Sequence, residues 1–165
     1  MLTTVPSGFM LQPNSVGDTG PSNLAKAAHD DGGAGARAAL ERAGFLRGFQ
    51  RLWTNPDETA QNFIILYQFK SKAGATLYAR RTRALLPRGL KKGHRAIALA
   101  VTGIPDAFGF VGPGPSGGNG AVVVFQHGVY LIDTAANTNA GSASDEGAAV
   151  EALALAQYAR LQAIT

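Results

Sequence analysis

The chain contains no cysteine, and this absence removes several classes of protein from consideration. A disulfide scaffold, a thiolate metal site and a cysteine nucleophile all require thiols. Long apolar runs are missing too, since none approaches the roughly 18 residues of a membrane-spanning helix. The first residues also lack the basic and apolar segments of a signal peptide. We therefore expect the chain to begin inside a longer protein.

Acidic side chains are absent between Glu58 and Asp106, a stretch that carries nine basic residues. The rest of the chain has six basic and eleven acidic residues, so the net charge of +4 conceals two regions of opposite sign. Such asymmetry suggests a polyanionic partner, although a solvated helix face with its following loop is the simpler explanation. The candidate residues for binding an anionic partner are Arg80, Arg83, Arg88, Lys91, Lys92 and Arg95.

A length of 165 residues indicates one domain. Hydrophobic periodicity and turn residues predict helices over 22–30, 34–43, 72–86 and 145–162, and strands over 45–54, 61–70, 95–102, 106–111, 121–126 and 129–135. Runs of strands with the helices set apart indicate an α+β fold, in which helices pack on an antiparallel sheet. Residues 1–21 are interpreted as an extended lead-in and residues 22–165 as the single α+β domain.

The strand 45–54 carries aromatic and basic residues at every second position. Alternation along a strand would place Phe45, Arg47, Phe49, Arg51 and Trp53 on one face. Burial of aromatic rings outweighs a surface contact between a cation and a ring, so we expect this face to pack under a helix. An exposed platform of aromatics and arginines would instead suit single-stranded nucleic acid, which is the disfavoured alternative.

The sequence also predicts the N-caps of the first two helices and the packing face of the third. Ser22 is the candidate N-cap of the first helix, and Asp31 is the candidate cap of the second. In helix 72–86, the apolar residues expected to pack on the sheet are Ala73, Leu77, Ala84 and Leu85.

The sequence contains few patterns that indicate a catalytic, metal or phosphate-binding site. His29 stands beside Asp30 and Asp31, which suggests a metal site, but the two ends of neighbouring helices explain these residues more simply. His127 and Gly128 are predicted to form an exposed two-residue hairpin loop. The glycine pattern at 112–117 is predicted to be a loop, because no helix follows it and its prolines remove backbone donors. The sequence therefore assigns no catalytic residue, metal or cofactor, while a triad built from distant residues remains open.

Short dipeptides and single aromatics spread over nearly the whole chain form a further pattern: Gly8-Phe9, Gly20-Pro21, Gly44-Phe45, Arg47-Gly48, Trp53, Tyr67, Phe69, Ile104-Pro105, Tyr130 and Gln157-Tyr158. In these features the chain resembles a family of exported, lipoprotein-like actinobacterial proteins of unknown function. The resemblance implies an extracytoplasmic location, with membrane anchoring through a segment upstream of this chain, and it implies no catalytic residue. In element order alone, the chain is also similar to Mog1/PsbP-like α/β/α domains of mycobacterial lipoproteins.

Two functional hypotheses remain open. The first is a non-catalytic extracytoplasmic binding module whose basic segment meets anionic lipid head groups, cell-wall polymer or an acidic protein, with no more than peripheral membrane contact. The alternative is a small-ligand binder or an enzyme with a pocket between sheet and helices. A concave apolar pocket with converging polar groups would favour the alternative, and a convex basic ridge would favour the first. The oligomeric state is not predicted.

Overall fold

The computed structural model describes residues 6–16, 19–88, 96–113, 118–139 and 143–164. In this part of the chain, eight strands form one antiparallel sheet: β1 (Met10–Leu11), β2 (Gly20–Ser22), β3 (Phe45–Thr54), β4 (Ala60–Phe69), β5 (Ile97–Leu99), β6 (Phe108–Pro113), β7 (Asn119–His127) and β8 (Tyr130–Thr138). Four α-helices accompany it: α1 (Leu24–Asp31), α2 (Ala36–Ala43), α3 (Lys72–Leu85) and α4 (Ala143–Gln162). Short 3₁₀ helices cover Asn14–Val16 and Leu86–Arg88.

The strands follow the order β1-β3-β4-β8-β7-β6-β5 across the sheet, and β2 also pairs with β3. The long hairpins β3-β4 and β7-β8 therefore lie side by side, joined through the β4-β8 pairing. This arrangement confirms the expected α+β fold with an antiparallel sheet.

Helices cover both faces of the sheet, as the alternation along β4 shows. Ile64 and Leu66 pack in one core cluster with residues of α4, while Tyr67 and Phe69 pack in a second cluster with residues of α1, α2 and α3. None of the described helices combines the length and the apolar character needed to cross a membrane.

Two helix caps differ from the expectation. Asn23 caps α1, because its side chain accepts a hydrogen bond from the Lys26 amide, whereas Ser22 lies in β2. Gly35 precedes α2 without a side-chain cap bond, so the prediction that Asp31 caps this helix is wrong. The start of α3 is confirmed, since the Ser71 hydroxyl accepts from the Gly74 amide.

Helix α3 turns a different face to the protein than its apolar residues suggest. Its buried residues are Gly74, Ala75 and Tyr78, whereas Ala73, Leu77 and Ala84 are exposed. The reason lies at Gly74, because a Cβ there would stand 2.0 Å from the Ala43 carbonyl oxygen of α2. The close approach of the two helices at this glycine fixes the rotation of α3.

The strand β3 carries a register shift between Phe45 and Arg47. The shift places Phe45 in the core cluster of α1, α2 and α3, while Trp53 packs on the α4 side. The prediction that all five alternating residues share one face is therefore wrong for Phe45. The buried position of Trp53, which is 1% exposed, is confirmed, and Phe49 is half-buried.

The β7-β8 hairpin turns one residue later than predicted. His127 pairs with Tyr130 across the two strands, so the loop consists of Gly128 and Val129. Gly128 has φ +58°, the left-handed conformation that such a turn favours in glycine. The His127 ring is half-buried, 5.7 Å from the Tyr158 ring, so the expectation of an exposed turn residue is wrong.

Candidate ligand pocket

A pocket of about 560 Å³ lies between the sheet and the helices α1 and α3. Its floor comes from the two neighbouring strands β4 and β8. Ile65 pairs with Asp133, and Tyr67 pairs with Leu131, so these four side chains form two adjacent rows on one face of the sheet. The floor thus combines two aliphatic side chains, a tyrosine and a carboxylate.

One wall of the pocket is the C-terminal end of α1 with the residues that follow it. Asp30 and Asp31 are the last residues of the helix, and Gly32 ends it with φ +61°. This left-handed residue turns the chain so that Gly33 and Ala34 continue the wall.

The opposite wall is α3 and the short 3₁₀ helix after it. Tyr78, Arg81 and Thr82 contribute its polar groups, and Leu85 and Leu86 contribute aliphatic surface. These residues follow one another at helical spacing on the face that the packing at Gly74 turns inward.

An ion pair joins the two walls. Arg81 binds Asp31 through both terminal nitrogens, with Nη1–Oδ2 at 2.5 Å and Nη2–Oδ1 at 3.0 Å. The Tyr78 hydroxyl donates to the same Oδ2 at 2.5 Å, and the Gly33 amide donates to Oδ1 at 3.1 Å. Burial, with the hydrogen bond to Asp31, raises the pKa of Tyr78, and the hydrogen bond to Asp31 raises the pKa of Arg81. Asp31 is therefore committed as an acceptor to α3.

Asp30, which also lines the pocket, binds a different set of partners. The Lys26 ammonium binds it at 3.1 Å, one helical turn away, and the Gln50 amide group donates to its Oδ2. The Tyr67 hydroxyl donates to the Ala27 carbonyl oxygen at 3.4 Å, and burial, with the nearby Asp30 carboxylate, raises the pKa of Tyr67.

Asp133 differs from the other two carboxylates. Within the part of the chain that the structure describes, no hydrogen bond or ion pair involves its side chain. It is half-buried, and it lines the pocket, so its remaining exposure is to the pocket. Burial, together with the charge on Asp31, raises the pKa of Asp133 to about 7. The neighbours of Asp133 across the sheet are Ile65 and Val124, which offer no compensation for a charge.

The hydroxyl groups that line the pocket are bonded within the protein, whereas the Asp133 carboxylate is open to a ligand. Three protein donors that line it, the hydroxyls of Tyr67, Tyr78 and Thr82, are bonded to protein acceptors. Among the described residues, no group of three histidine or acidic side chains is arranged to hold a metal ion. Asp30 and Asp31, beside which His29 suggests a metal site only as the less simple explanation, bind Lys26 and Arg81.

The basic residues that the sequence singles out do not form this pocket. Arg80 and Arg83 lie on α3 and are exposed, and the Arg83 guanidinium lies 5.1 Å from the centre of the Phe108 ring. Arg88 ends the 3₁₀ helix, and its side chain lies outside the described residues, as do Lys91, Lys92 and Arg95. Arg81, which the candidate set omits, is the basic residue of α3 that lines the pocket.

Sequence reasoning missed Asp133, Tyr78 and Arg81 as pocket residues. A signal existed for Asp133, which follows Leu131 at the spacing of two that places both on one face of a strand. Tyr78 and Arg81 are three positions apart on a helix, which also places them on a common face.

Comparison with known proteins gives a family and a fold relative. The family model described as "Domain of unknown function (DUF7373) N-terminal" matches residues 4–165. A solved structure, the extracellular domain of PknH from Mycobacterium tuberculosis, is similar with a TM-score of 0.51 and 11% sequence identity. The similarity covers 72% of this chain and 66% of that chain. The search of curated proteins found no match.

Proposed function

We propose a function for the chain, which belongs to the family described as "Domain of unknown function (DUF7373) N-terminal". The chain is a non-catalytic extracytoplasmic binding domain that takes a small ligand into the pocket between β4, β8, α1 and α3. The observation that carries the proposal is the concave site itself. A volume of about 560 Å³ lies in the range of about 300–1,000 Å³ that small-molecule sites occupy. Aliphatic walls with a few converging polar groups are also typical of such sites.

The arrangement of the polar groups supports binding as opposed to catalysis. Asp31, Tyr78 and Arg81 hold one another, so they fix the distance between the two walls. Because these three groups engage one another, none of them is free to act as a general base or a nucleophile toward a bound ligand.

An extracytoplasmic location is part of the proposal. Its support is the fold similarity to a domain that is extracellular in PknH, together with the resemblance to exported proteins in the sequence. A fusion of the full-length gene product to a reporter that is active on only one side of the membrane tests the location directly. Reporter activity confined to the cytoplasm would contradict it.

Pocket binding is tested with a fragment library and two-dimensional ¹H–¹⁵N NMR. We expect binding fragments to shift the amide signals of Gly33, Ala34 and Leu131. Thr82→Trp places an indole in the pocket and should abolish these shifts. Leu77→Trp is the matched control, because Leu77 lies on the same helix but is 45% exposed and does not line the pocket.

The result that would overturn pocket binding is a set of fragments whose shifts lie elsewhere, or fragments that bind Thr82→Trp as well as the Leu77→Trp control. Both variants are first checked for cooperative unfolding, so that loss of binding in Thr82→Trp is read only from a folded protein.

A second candidate function uses the basic segment. Arg80 and Arg83 are exposed, and neither takes part in the three ion pairs found among the described residues. Their charge is therefore open to an anionic surface, where each basic residue that reaches the surface contributes about 1 kcal/mol. We propose that these two arginines act with Arg88, Lys91, Lys92 and Arg95 when the domain meets such a surface.

Sedimentation with anionic and neutral vesicles tests this second function. The wild type should sediment with anionic vesicles at low salt and less so as salt rises past physiological strength, because screening shortens the reach of each charge. The variant Arg88→Ala/Lys91→Ala/Lys92→Ala should bind more weakly. Equal, salt-insensitive behaviour of the two proteins on both vesicle types would return the basic residues to a solvating role.

A further inference from the structure

The pocket presents a carboxylate that the protein leaves without a partner. Asp133 lies on the floor beside Leu131, while the carboxylates of Asp30 and Asp31 are bound to Lys26 and Arg81. A carboxylate next to Ile65 and Val124 lacks the stabilisation that a charge needs outside water. A ligand that supplies a positive charge or strong donors would provide it.

The hydroxyl donors of the pocket do not stabilise the Asp133 carboxylate, because each of them is bonded to another acceptor of the protein. The Tyr78 hydroxyl donates to Asp31, the Thr82 hydroxyl to the Tyr78 carbonyl, and the Tyr67 hydroxyl to the Ala27 carbonyl. Arg81 directs one N–H of each terminal nitrogen to Asp31, and none of the ion pairs among the described residues joins it to Asp133. A ligand that offered only acceptors would therefore meet the Asp133 carboxylate with unfavourable electrostatics.

The rest of the lining defines the body of the ligand. Ile65 and Leu131 contribute aliphatic surface on the floor of the pocket, and Leu85 and Leu86 contribute it on the α3 wall. This surface favours an apolar group. The charged head and the apolar body would then be recognised by different parts of the same site.

We propose that the ligand is a small amine, in which a protonated nitrogen on an apolar body pairs with the Asp133 carboxylate. This inference rests on the proposed function, because it needs the pocket to be the binding site. The ammonium supplies the partner that Asp133 lacks, and the apolar body displaces water from the aliphatic lining of the pocket. A lysine side chain of another protein carries the same chemistry, and the experiment below separates it from a free amine.

Binding of an amine is coupled to the proton on Asp133. The titratable groups that share the pocket with it are Asp30 and Asp31 from α1, Tyr67 from β4, and Tyr78 and Arg81 from α3. Arg81 is held by Asp31, so its charge is largely balanced there. Burial and Asp31 raise the pKa of Asp133 to about 7, so the carboxyl must lose its proton before it pairs with an ammonium. Amine affinity should therefore rise with pH up to about 7 and then level off, with about a tenfold change per pH unit below it.

The probes are phenylbutylamine, phenylbutanol and phenylbutyrate, which share one apolar body and differ in charge. Titration is followed by calorimetry and by the amide signals of Gly33 and Leu131 at about pH 8, where Asp133 is ionised. We expect the amine to bind at least about tenfold more tightly than the alcohol, and the carboxylate to bind more weakly still. Asp133→Asn should reduce amine affinity to that of the alcohol and abolish its pH dependence. Asp106→Asn is the control, since it removes one exposed negative charge outside the pocket and should change neither.

The outcomes separate this inference from the proposed function. Equal affinity for amine and alcohol, or unchanged amine affinity in Asp133→Asn, would overturn the amine while leaving a pocket that binds. Absence of pocket shifts with all three probes would overturn both. Nα-acetyl-lysine methylamide forms the last arm, and tighter binding of this probe than of phenylbutylamine would assign the site to a lysine side chain and refute the free amine.

Discussion

Replacing Asp133 by Asn should change how the stability of the protein depends on pH. The ordinary pKa of an aspartate is 3.8, and burial with the Asp31 charge raises that of Asp133 to about 7 in the folded protein. Between these two values the unfolded chain carries an ionised Asp133 and the folded protein a neutral one. Stability from this group is therefore fully present below 3.8 and is lost as pH rises to about 7.

The size of the effect follows from the difference between the two pKa values. Each pH unit is worth about 1.4 kcal/mol, so the complete loss would be about 4 kcal/mol. Between about pH 5 and about pH 8, the wild type should lose roughly 2–3 kcal/mol relative to Asp133→Asn. The lower figure applies if water in the pocket solvates the carboxylate, because Asp133 is only half-buried.

The assay is urea denaturation of wild type and Asp133→Asn across that pH range, followed by circular dichroism. The quantity compared is the difference between the two free energies of unfolding, because the other titrating groups cancel in it. Asp106→Asn is measured in parallel, since Asp106 is exposed and lies outside the pocket. A difference that stays constant with pH would refute the reasoning, and it would mean that Asp133 is solvated or paired in the folded protein.

Two further predictions concern packing. Trp53→Ala should lower the free energy of unfolding by about 3–5 kcal/mol, since the ring is 1% exposed within the core on the α4 side. Urea denaturation of the variant and iodide quenching of wild-type fluorescence check this prediction. A loss below about 1 kcal/mol with strong quenching would indicate an exposed ring. Gly74→Ala should lower the melting temperature, because its Cβ would stand 2.0 Å from the Ala43 carbonyl oxygen. The control is Gly147→Ala, whose Cβ would have its nearest contacts at 3.4 Å and which should leave the melting temperature unchanged or raise it. Equal melting temperatures for the two variants would show that α2 and α3 can separate without cost.

The elements themselves were largely predictable because local patterns determine them. Alternating residues mark β3 and β4, whose observed bounds differ from the predicted ones by at most one residue. Ser71 and Pro87 bracket α3 as a cap and a helix breaker do. Each of these signals depends on residues that lie within a few positions of one another, so it can be recognised in the sequence alone.

The rotation of α3 was not predictable in the same way. Apolar residues favour the face with Ala73, Leu77 and Ala84, but these are exposed. The observed face is selected by close contact of Gly74 with α2 and by the ion pair of Arg81 with Asp31, which are 50 positions apart in the chain. A helical pattern does not contain that information, because the partner that satisfies the arginine lies on another element.

The candidate site could not be predicted from the sequence for a related reason, which is that helices cover both faces of the sheet. An antiparallel sheet often keeps one solvated face, and an aspartate in a strand is then unremarkable. Here helices cover both faces, and β8 lies in the middle of the strand order, so Asp133 must enter a helix-covered layer whichever way it points. Beneath such a layer a carboxylate needs either a partner or a cavity. The fold supplies the cavity, and α1 and α3 hold it open through Arg81 and Asp31, which engage each other and leave Asp133 to the ligand.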